Sequence, residues 1–266
     1  MKGYGADLAL IHEKGFSSLA RCAAELLVRR LRAAGIRDGL VVDVGCGGGT
    51  FATTILNAGY GVLGLDASEA MIRLARQRES RATFRVGTFR SAKVPPCVAV
   101  TAIGEGLSYL FDLRMSDTAV DAFLARAHAA LVPNGLVMFD VVETMPRPEA
   151  RRAWVEADDA TWAVLLRVRE EDGTGIVRRE ITSFRKVGAT YRRSVEVHRQ
   201  RRYSREKILR TLRRLGFAAR VLRGYGKPRF RKGHVGFFGR KRREAKKRLV
   251  AKRRSVAKKR REAKKT

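Results

Sequence analysis

Val41-Val42-Asp43-Val44-Gly45-Cys46-Gly47-Gly48-Gly49-Thr50 is the stretch that decides the fold. Four residues of β-strand character run into a glycine cluster, and a helical pattern begins at once at Thr50. Glycine has no Cβ and tolerates positive φ, so the backbone of such a turn approaches a ligand closely. The same junction sets the N-terminus of a helix, with its unpaired N–H groups, at the edge of a sheet. The expectation from this stretch alone is a nucleotide-type pocket.

On its N-terminal side, residues 4–16 carry Tyr4, Leu8, Ile11, His12 and Phe16 in a mixed pattern that predicts a short helix or lid. Ser17 reads as the N-cap of a helix in which Leu19, Cys22, Ala23, Leu26, Leu27 and Leu31 recur at helical spacing, with Gly35 as its stop. On its C-terminal side come a helix over 50–58, a strand over 61–66 ending in Asp66, and a helix capped by Ser68 with Met71, Ile72 and Ala75 on one face. A strand over 83–86 follows, then an unbroken apolar run over 98–103 that suits a strand buried on both faces. A helix capped by Ser116 and a Pro133-Asn134-Gly135 turn lead to a fifth strand over 136–141. Strands alternating with helices in this way predict an α/β fold with a doubly wound, mostly parallel sheet.

The pattern then changes. Residues 162–168, 176–185 and 191–203 have strand character and are separated by Asp172-Gly173 and Gly188, which predicts an antiparallel insertion after the fifth strand. Ser204 caps a last helix stopped by Gly216, and strands over 218–222 and 235–239 close the fold. The expected division is a lid and helix over 1–35, a core over 36–145, a β-rich substrate insertion over 146–203, core-closing elements over 204–239 and a basic tail over 240–266.

At 266 residues the chain can bury a substantial core. Its net charge is +31, and +14 of this lies in the last 27 residues. Cys22, Cys46 and Cys97 are odd in number and widely spaced, with no Cys/His metal pattern, which suits a reducing cytosol and predicts no metal. No signal-type apolar run opens the chain, and none approaches the roughly 20 residues that span a bilayer. The expected location is cytoplasmic, without a membrane partner.

Three readings of the glycine stretch compete. An ordinary α/β crossover is the plainest. A dinucleotide site wants G-x-G-x-x-G/A, and Thr50 stands where the last small residue belongs. The form D-x-G-x-G-x-G is met throughout by Asp43 to Gly49. No G-x-x-x-x-G-K-[ST] occurs, which excludes a P-loop.

In these residues, and in motifs that follow in order over roughly residues 1–239, the sequence resembles the class I S-adenosylmethionine-dependent methyltransferases of small-molecule type, a Rossmann-like family. Asp43 to Gly49 matches the family's first motif, which cradles the methionine end of S-adenosylmethionine. Asp66, 21 residues after Gly45, matches the acid that binds the ribose hydroxyls. Met71 falls where an apolar side chain packs near the adenine, and Gly87-Thr88-Phe89 where many members have Gly-Asp-x. Thr88 departs from that pattern, and its hydroxyl stands in for the carboxylate as an acceptor. Thr101 to Leu110 resembles the fourth-strand motif facing the reacting methyl, and Leu131 to Leu136 the Leu-x-Pro-Gly-Gly turn, with Asn134 for one glycine. The cofactor contacts implied are Asp43, Gly45, Cys46, Gly47, Asp66, Ala67, Met71, Thr88, Phe89 and Ile103.

Methyl transfer is an in-line displacement that chiefly needs alignment, with a base required only for a protonated nucleophile. Candidates are His12, Glu105, His198, Tyr203 and His234, of which Glu105 and His198 are the catalytic expectations. Glu105 follows the fourth strand at the ligand-binding edge, but an acid there can equally satisfy a helix start. His198 shares a strand face with Ser194, Glu196 and Gln200; that face is either solvated, the commoner case, or the wall of a substrate cup. Arg193, Arg199, Arg201, Val195, Val197 and Tyr203 are expected on the opposite face. His234 reads as structural and Cys46 as a small apolar filler. Tyr4, His12 and Tyr109 are expected to line the substrate pocket.

The insertion argues by fold analogy for an enclosed small-molecule acceptor with an N or O nucleophile. Gly104-Glu105-Gly106-Leu107 lacks the Asn/Asp-Pro-Pro-Tyr pattern of enzymes that methylate DNA bases. The tail 240–266 is expected to be disordered alone: it is either a nonspecific nucleic-acid-binding segment or a solubilising extension, and it has no aromatic to stack on bases. Two alternatives stay open: an RNA- or ribosome-associated methyltransferase using the tail, and a non-catalytic protein that resembles a cofactor-binding one.

Overall fold

The structure is a computed structural model, described over residues 3–111, 118–145, 152–158, 160–171, 173–227 and 229–242. The expected cap Ser116 and the tail beyond Arg242 lie outside these residues.

Helix α1 (Ala6–Gly15) precedes α2 (Ser18–Ala33), β1 (Leu40–Val44), α3 (Thr50–Asn57), β2 (Gly61–Asp66), α4 (Glu69–Arg78), β3 (Thr83–Val86), β4 (Cys97–Ala102), α5 (Thr118–Ala130) and β5 (Leu131–Val142). Four strands follow, β6 (Arg152–Asp158), β7 (Trp162–Glu171), β8 (Ile176–Val187) and β9 (Thr190–Arg201), and then α6 (Arg205–Arg214), β10 (Phe217–Leu222) and β11 (His234–Lys241). The main sheet has the order β10-β11-β5-β4-β1-β2-β3. β3, β2, β1, β4 and β5 run parallel, and β11 is antiparallel to both neighbours.

Strand alternation explains the two layers of helices. Val41, Val62 and Ala99 face one way and pack with Leu27, Phe51, Ile55 and Ile72 of α2, α3 and α4. Val42, Val44 and Val100 face the other way and pack with Phe123, Leu124, Ile208 and Leu212 of α5 and α6. Every residue of β4 is buried, as the apolar run requires. Local signals also hold at helix ends: the Ser68 and Ser204 hydroxyls accept from the Met71 and Lys207 N–H groups, and Gly35, Gly59 and Gly216 take positive φ. Asn134 has φ +68°, which explains how it replaces a glycine in the turn before the core of β5. Ser17 stands at the N-cap of α2 but makes no side-chain cap bond.

The insertion after β5 is a separate antiparallel sheet of four strands, β6-β7-β8-β9, and residues of β7, β8 and β9 roof a cavity whose other wall is the loops after β1 and β4. The sequence reading assigned three of them and missed β6, whose stretch holds only Trp154 and Val155 as strand-favouring residues. Trp162, Val164, Leu166 and Ile181 of the roof pack on Leu8 and Ile11 of α1, so the lid is bonded to the roof through its apolar stripe. Arg240 and Lys241, counted above with the tail, belong to β11, and the Lys241 ammonium donates to the His128 and Leu131 carbonyls.

Candidate active site

Gly45, Gly47 and Gly49 hold φ values of +75°, +54° and +86°, so the turn after β1 takes a path that a side chain would oppose. Asp66, at the end of β2, accepts from the Gly47 N–H at 3.0 Å and the Ser68 N–H at 2.8 Å, tying the loop to the start of α4. Burial pushes the Asp66 carboxyl up, against the pull of those two donors. Asp43 accepts from the Thr101 hydroxyl at 2.7 Å, and burial, with the nearby charge of Asp66, raises it to about 6.

Two adjoining cavities open at this edge. The narrow one, about 80 Å³, is lined by Asp66, Ala67, Met71, Thr88, Phe89 and Ile103. The wide one, about 790 Å³, runs from Asp43, Cys46 and the glycine loop under the roof to the segment before β11. All ten residues expected at the cofactor therefore lie on these walls. Tyr4, His12, Gly45, Gly47, Ile103, Gly104 and Tyr109 line both, which marks the boundary between the two spaces. Tyr4 and Tyr109 are hydrogen-bonded through their hydroxyls at 2.7 Å. Thr88 is turned toward Ser91, whose hydroxyl accepts from its N–H at 3.2 Å.

Glu105 is placed at the edge as expected, and its carboxylate meets side chains and not the N–H groups of a helix start. Its carboxylate accepts from His234 at 2.8 Å, Arg179 at 3.2 Å and the Gln200 amide at 2.6 Å. Burial alone would raise it; the charge and hydrogen bond of His234, with Arg179 and Gln200, outweigh this and hold it at about 2. Burial lowers His234, and Glu105 more than reverses that shift. The loop donors expected of Glu105 belong to Asp140, which accepts from the Gly104 N–H at 2.9 Å, the Glu105 N–H at 2.8 Å and the Tyr225 hydroxyl at 2.7 Å. This anchorage holds Glu105 at φ +65°.

His198 corrects a second expectation. It is 2% exposed, whereas Val195 on the opposite face is 47% exposed, so the polar face of β9 is turned inward. Tyr4 covers it, with ring centroids 4.9 Å apart, and its Nε2 meets Glu196 at 3.0 Å. It stands behind the two tyrosines and lines neither cavity. Tyr203 does not continue the outer face; it turns into the core below the main sheet and pairs backbone with Val142. His234, read as structural, joins the site through Glu105.

Glu13 was not singled out by the sequence. It accepts from the Gly48 N–H and the Thr50 hydroxyl, each at 3.0 Å, and pairs with Arg78, so the lid carries a carboxylate onto the N-terminus of α3. A Cβ on Gly48 would fall 2.5 Å from that side chain. Burial would raise Glu13, but His12, the Gly48 N–H and Arg78 hold it at about 2. Asp140 did leave a local trace, as a lone acid in an apolar strand; Arg179 and Glu13 left none.

A profile described as "Methyltransferase domain" matches residues 41–135, which span the glycine loop, Asp66 and β4. Residues 41–135 thus match a methyltransferase domain, and the chain as a whole is similar in fold to S-adenosylmethionine-dependent methyltransferases. In sequence it is 26% identical over 184 residues to a protein of Geobacillus sp. (strain WCH70) named as a methyltransferase, covering 66% of this chain and 73% of that one. It spans 38% to 53% of the length of four further methyltransferases with which it aligns. In fold it is similar to CalS10, an amino pentose methyltransferase from Micromonospora echinaspora, at TM-score 0.70 and 20% identity over 91% of this chain and 98% of that one. The sugar N-methyltransferase KedS8 from Streptoalloteichus sp gives TM-score 0.71 and 17% identity over 91% and 97%.

The domain match and the fold imply S-adenosylmethionine as the cofactor. The donor set fits it. A positive-φ loop free of side chains suits the methionine end, Asp66 offers carboxylate oxygens at a strand end to vicinal hydroxyls, and Met71 and Phe89 offer apolar surface to a base. No helix among the described residues is long and apolar enough to cross a membrane.

Proposed function

We propose that this methyltransferase transfers a methyl group to a nitrogen or oxygen of a small molecule held under the roof. The observation carrying this is the 790 Å³ cavity, which begins at the glycine loop and is closed above by β7 and β8 and in front by α1. Val164, Leu166, Val177 and Ile181 give it an apolar ceiling, and Arg179, Gln200 and Glu105 a polar end. Such a mixture orients a small ligand.

When bound, the sulfonium supplies an activated methyl, and the task of the chain is to bring the acceptor atom into line with it. The wall common to both cavities, Tyr4, His12, Ile103 and Tyr109, is where donor and acceptor meet. Glu105, held at about 2 by its cationic partners, is a poor base, and it serves to orient Arg179 and His234. Burial pushes the phenols of Tyr4 and Tyr109 up, so they remain hydrogen-bond donors and acceptors at neutral pH. His12, the imidazole on the common wall, takes the proton released from the acceptor.

The test is to offer the full chain and methyl-labelled cofactor a small-metabolite extract and total RNA side by side. Label in the low-mass fraction is expected. Label confined to RNA overturns the reading in favour of the tail-assisted alternative.

A further inference from the structure

Charge is distributed unevenly around the wide cavity. Its inner cations are compensated: Arg179 by Glu105, and Arg202 by Glu170 at 3.4 Å and the Glu143 carbonyl at 2.8 Å. The segment between β10 and β11 differs. Arg229 and Arg231 line the same cavity and are exposed, and among the described residues no carboxylate pairs with either.

The segment is held in place. Phe230 lies between the two arginines in sequence, packs edge-on against Tyr225 with centroids 5.0 Å apart, and donates its N–H to the Arg223 carbonyl at 2.9 Å. A bridge joins Gly224 to Arg229, and the Arg231 carbonyl accepts from the His234 N–H at 3.1 Å. Two arginines are thus rooted in a held backbone at the rim of a chamber whose ceiling is apolar. Cations at the mouth of a low-dielectric cleft focus their field into it, and the planar guanidinium fork matches phosphate and carboxylate oxygens.

We propose that the acceptor carries a multiply charged anionic group, of phosphate-ester or polycarboxylate chemistry, which seats on Arg229 and Arg231 while its nucleophile reaches the wall shared by the two cavities. This rests on the small-molecule reading above and names the class of acceptor. The site is a specificity element: it fixes one end of the acceptor and takes no part in moving the methyl.

The test is calorimetric titration of the full chain, saturated with S-adenosylhomocysteine at physiological ionic strength, with inorganic pyrophosphate and separately with citrate. Arg229→Gln/Arg231→Gln is compared with wild type and with Arg210→Gln/Arg213→Gln, which removes the same charge from the exposed face of α6. One saturable site is expected in wild type, weakened about 10-fold or more by the first double substitution and less than about 2-fold by the second. Preference for pyrophosphate supports a phosphate ester, and preference for citrate supports a polycarboxylate. Equal weakening by both double substitutions, or no saturable site, overturns the proposal. Absence of S-adenosylhomocysteine binding would instead count against the methyl-transfer site itself, which separates the two failures.

Discussion

Between β1 and α3 the wall of the cavity is backbone: three positive-φ glycines, their N–H groups and one carboxylate at a neighbouring strand end. Across the chamber the wall is side chain. Glu105 from the loop after β4, Arg179 from β8, Gln200 from β9 and His234 at the start of β11 form one ion-paired cluster. The first wall is local in sequence and constrained by what glycine alone can do. The second is assembled from elements far apart, and its charges have value only in each other's company. A backbone wall suits a cofactor that never changes, whereas a side-chain wall can be refitted to a new acceptor.

Substitution on each side should separate the two. Asp66→Ala removes a charged acceptor of two hydrogen bonds and orphans the Gly47 and Ser68 N–H groups. It should weaken S-adenosylmethionine binding on the order of 1,000-fold by calorimetry. If affinity stays within about 3-fold, the backbone wall does not hold the ribose.

Glu105→Gln should leave cofactor affinity almost unchanged but cost about 3 kcal/mol of stability at neutral pH, because Arg179 and His234 lose their counter-charge. The pH dependence has a definite sign. Glu105 is lowered from 4.5 to about 2 on folding, so its contribution is complete above about pH 4.5 and is lost as pH falls toward 2. His234 is raised, so its share is complete below 6.5 and is lost as pH rises through its elevated value. Denaturant unfolding of wild type and variant should therefore differ most between about pH 4.5 and 6.5 and converge in stronger acid. A gap that persists to pH 2 would show that the cost is packing and not charge.

Smaller effects are expected where the two walls meet. His12→Gln should lower kcat about 10-fold with little change in KM. An unaltered kcat would mean that the acceptor arrives as a neutral amine and leaves its proton to water. Glu13→Gln keeps an acceptor for Gly48 but loses the pair with half-exposed Arg78, so about 1 kcal/mol of lid stability should go. Faster hydrogen exchange confined to α1 would report it.

The same contrast explains what could be read from the sequence. The α/β alternation, the glycine turn, the strand-end position of Asp66 and the caps Ser68 and Ser204 are signalled by neighbours within a few residues, and each was legible. His198 was not, since whether a polar strand face is wet depends on Tyr4, which approaches from the other end of the chain. His234 next to Glu105, and Glu13 over Gly48, are pairings across 129 and 35 positions that no local pattern encodes. Strand β6 was missed because an edge strand draws its stability from its partner, not from its own residues.

Asp140 is a post shared by two loops, the one bearing Glu105 and, through Tyr225, the one bearing Arg229 and Arg231. The loops should therefore not fluctuate independently. A tilt that frees the Tyr225 hydroxyl leaves the post with its full charge for Gly104 and Glu105, and a shift of those amides tightens its hold on Tyr225. The two ends of the wide cavity thus share one buried carboxylate, which belongs to the frame of the chamber and not to its lining.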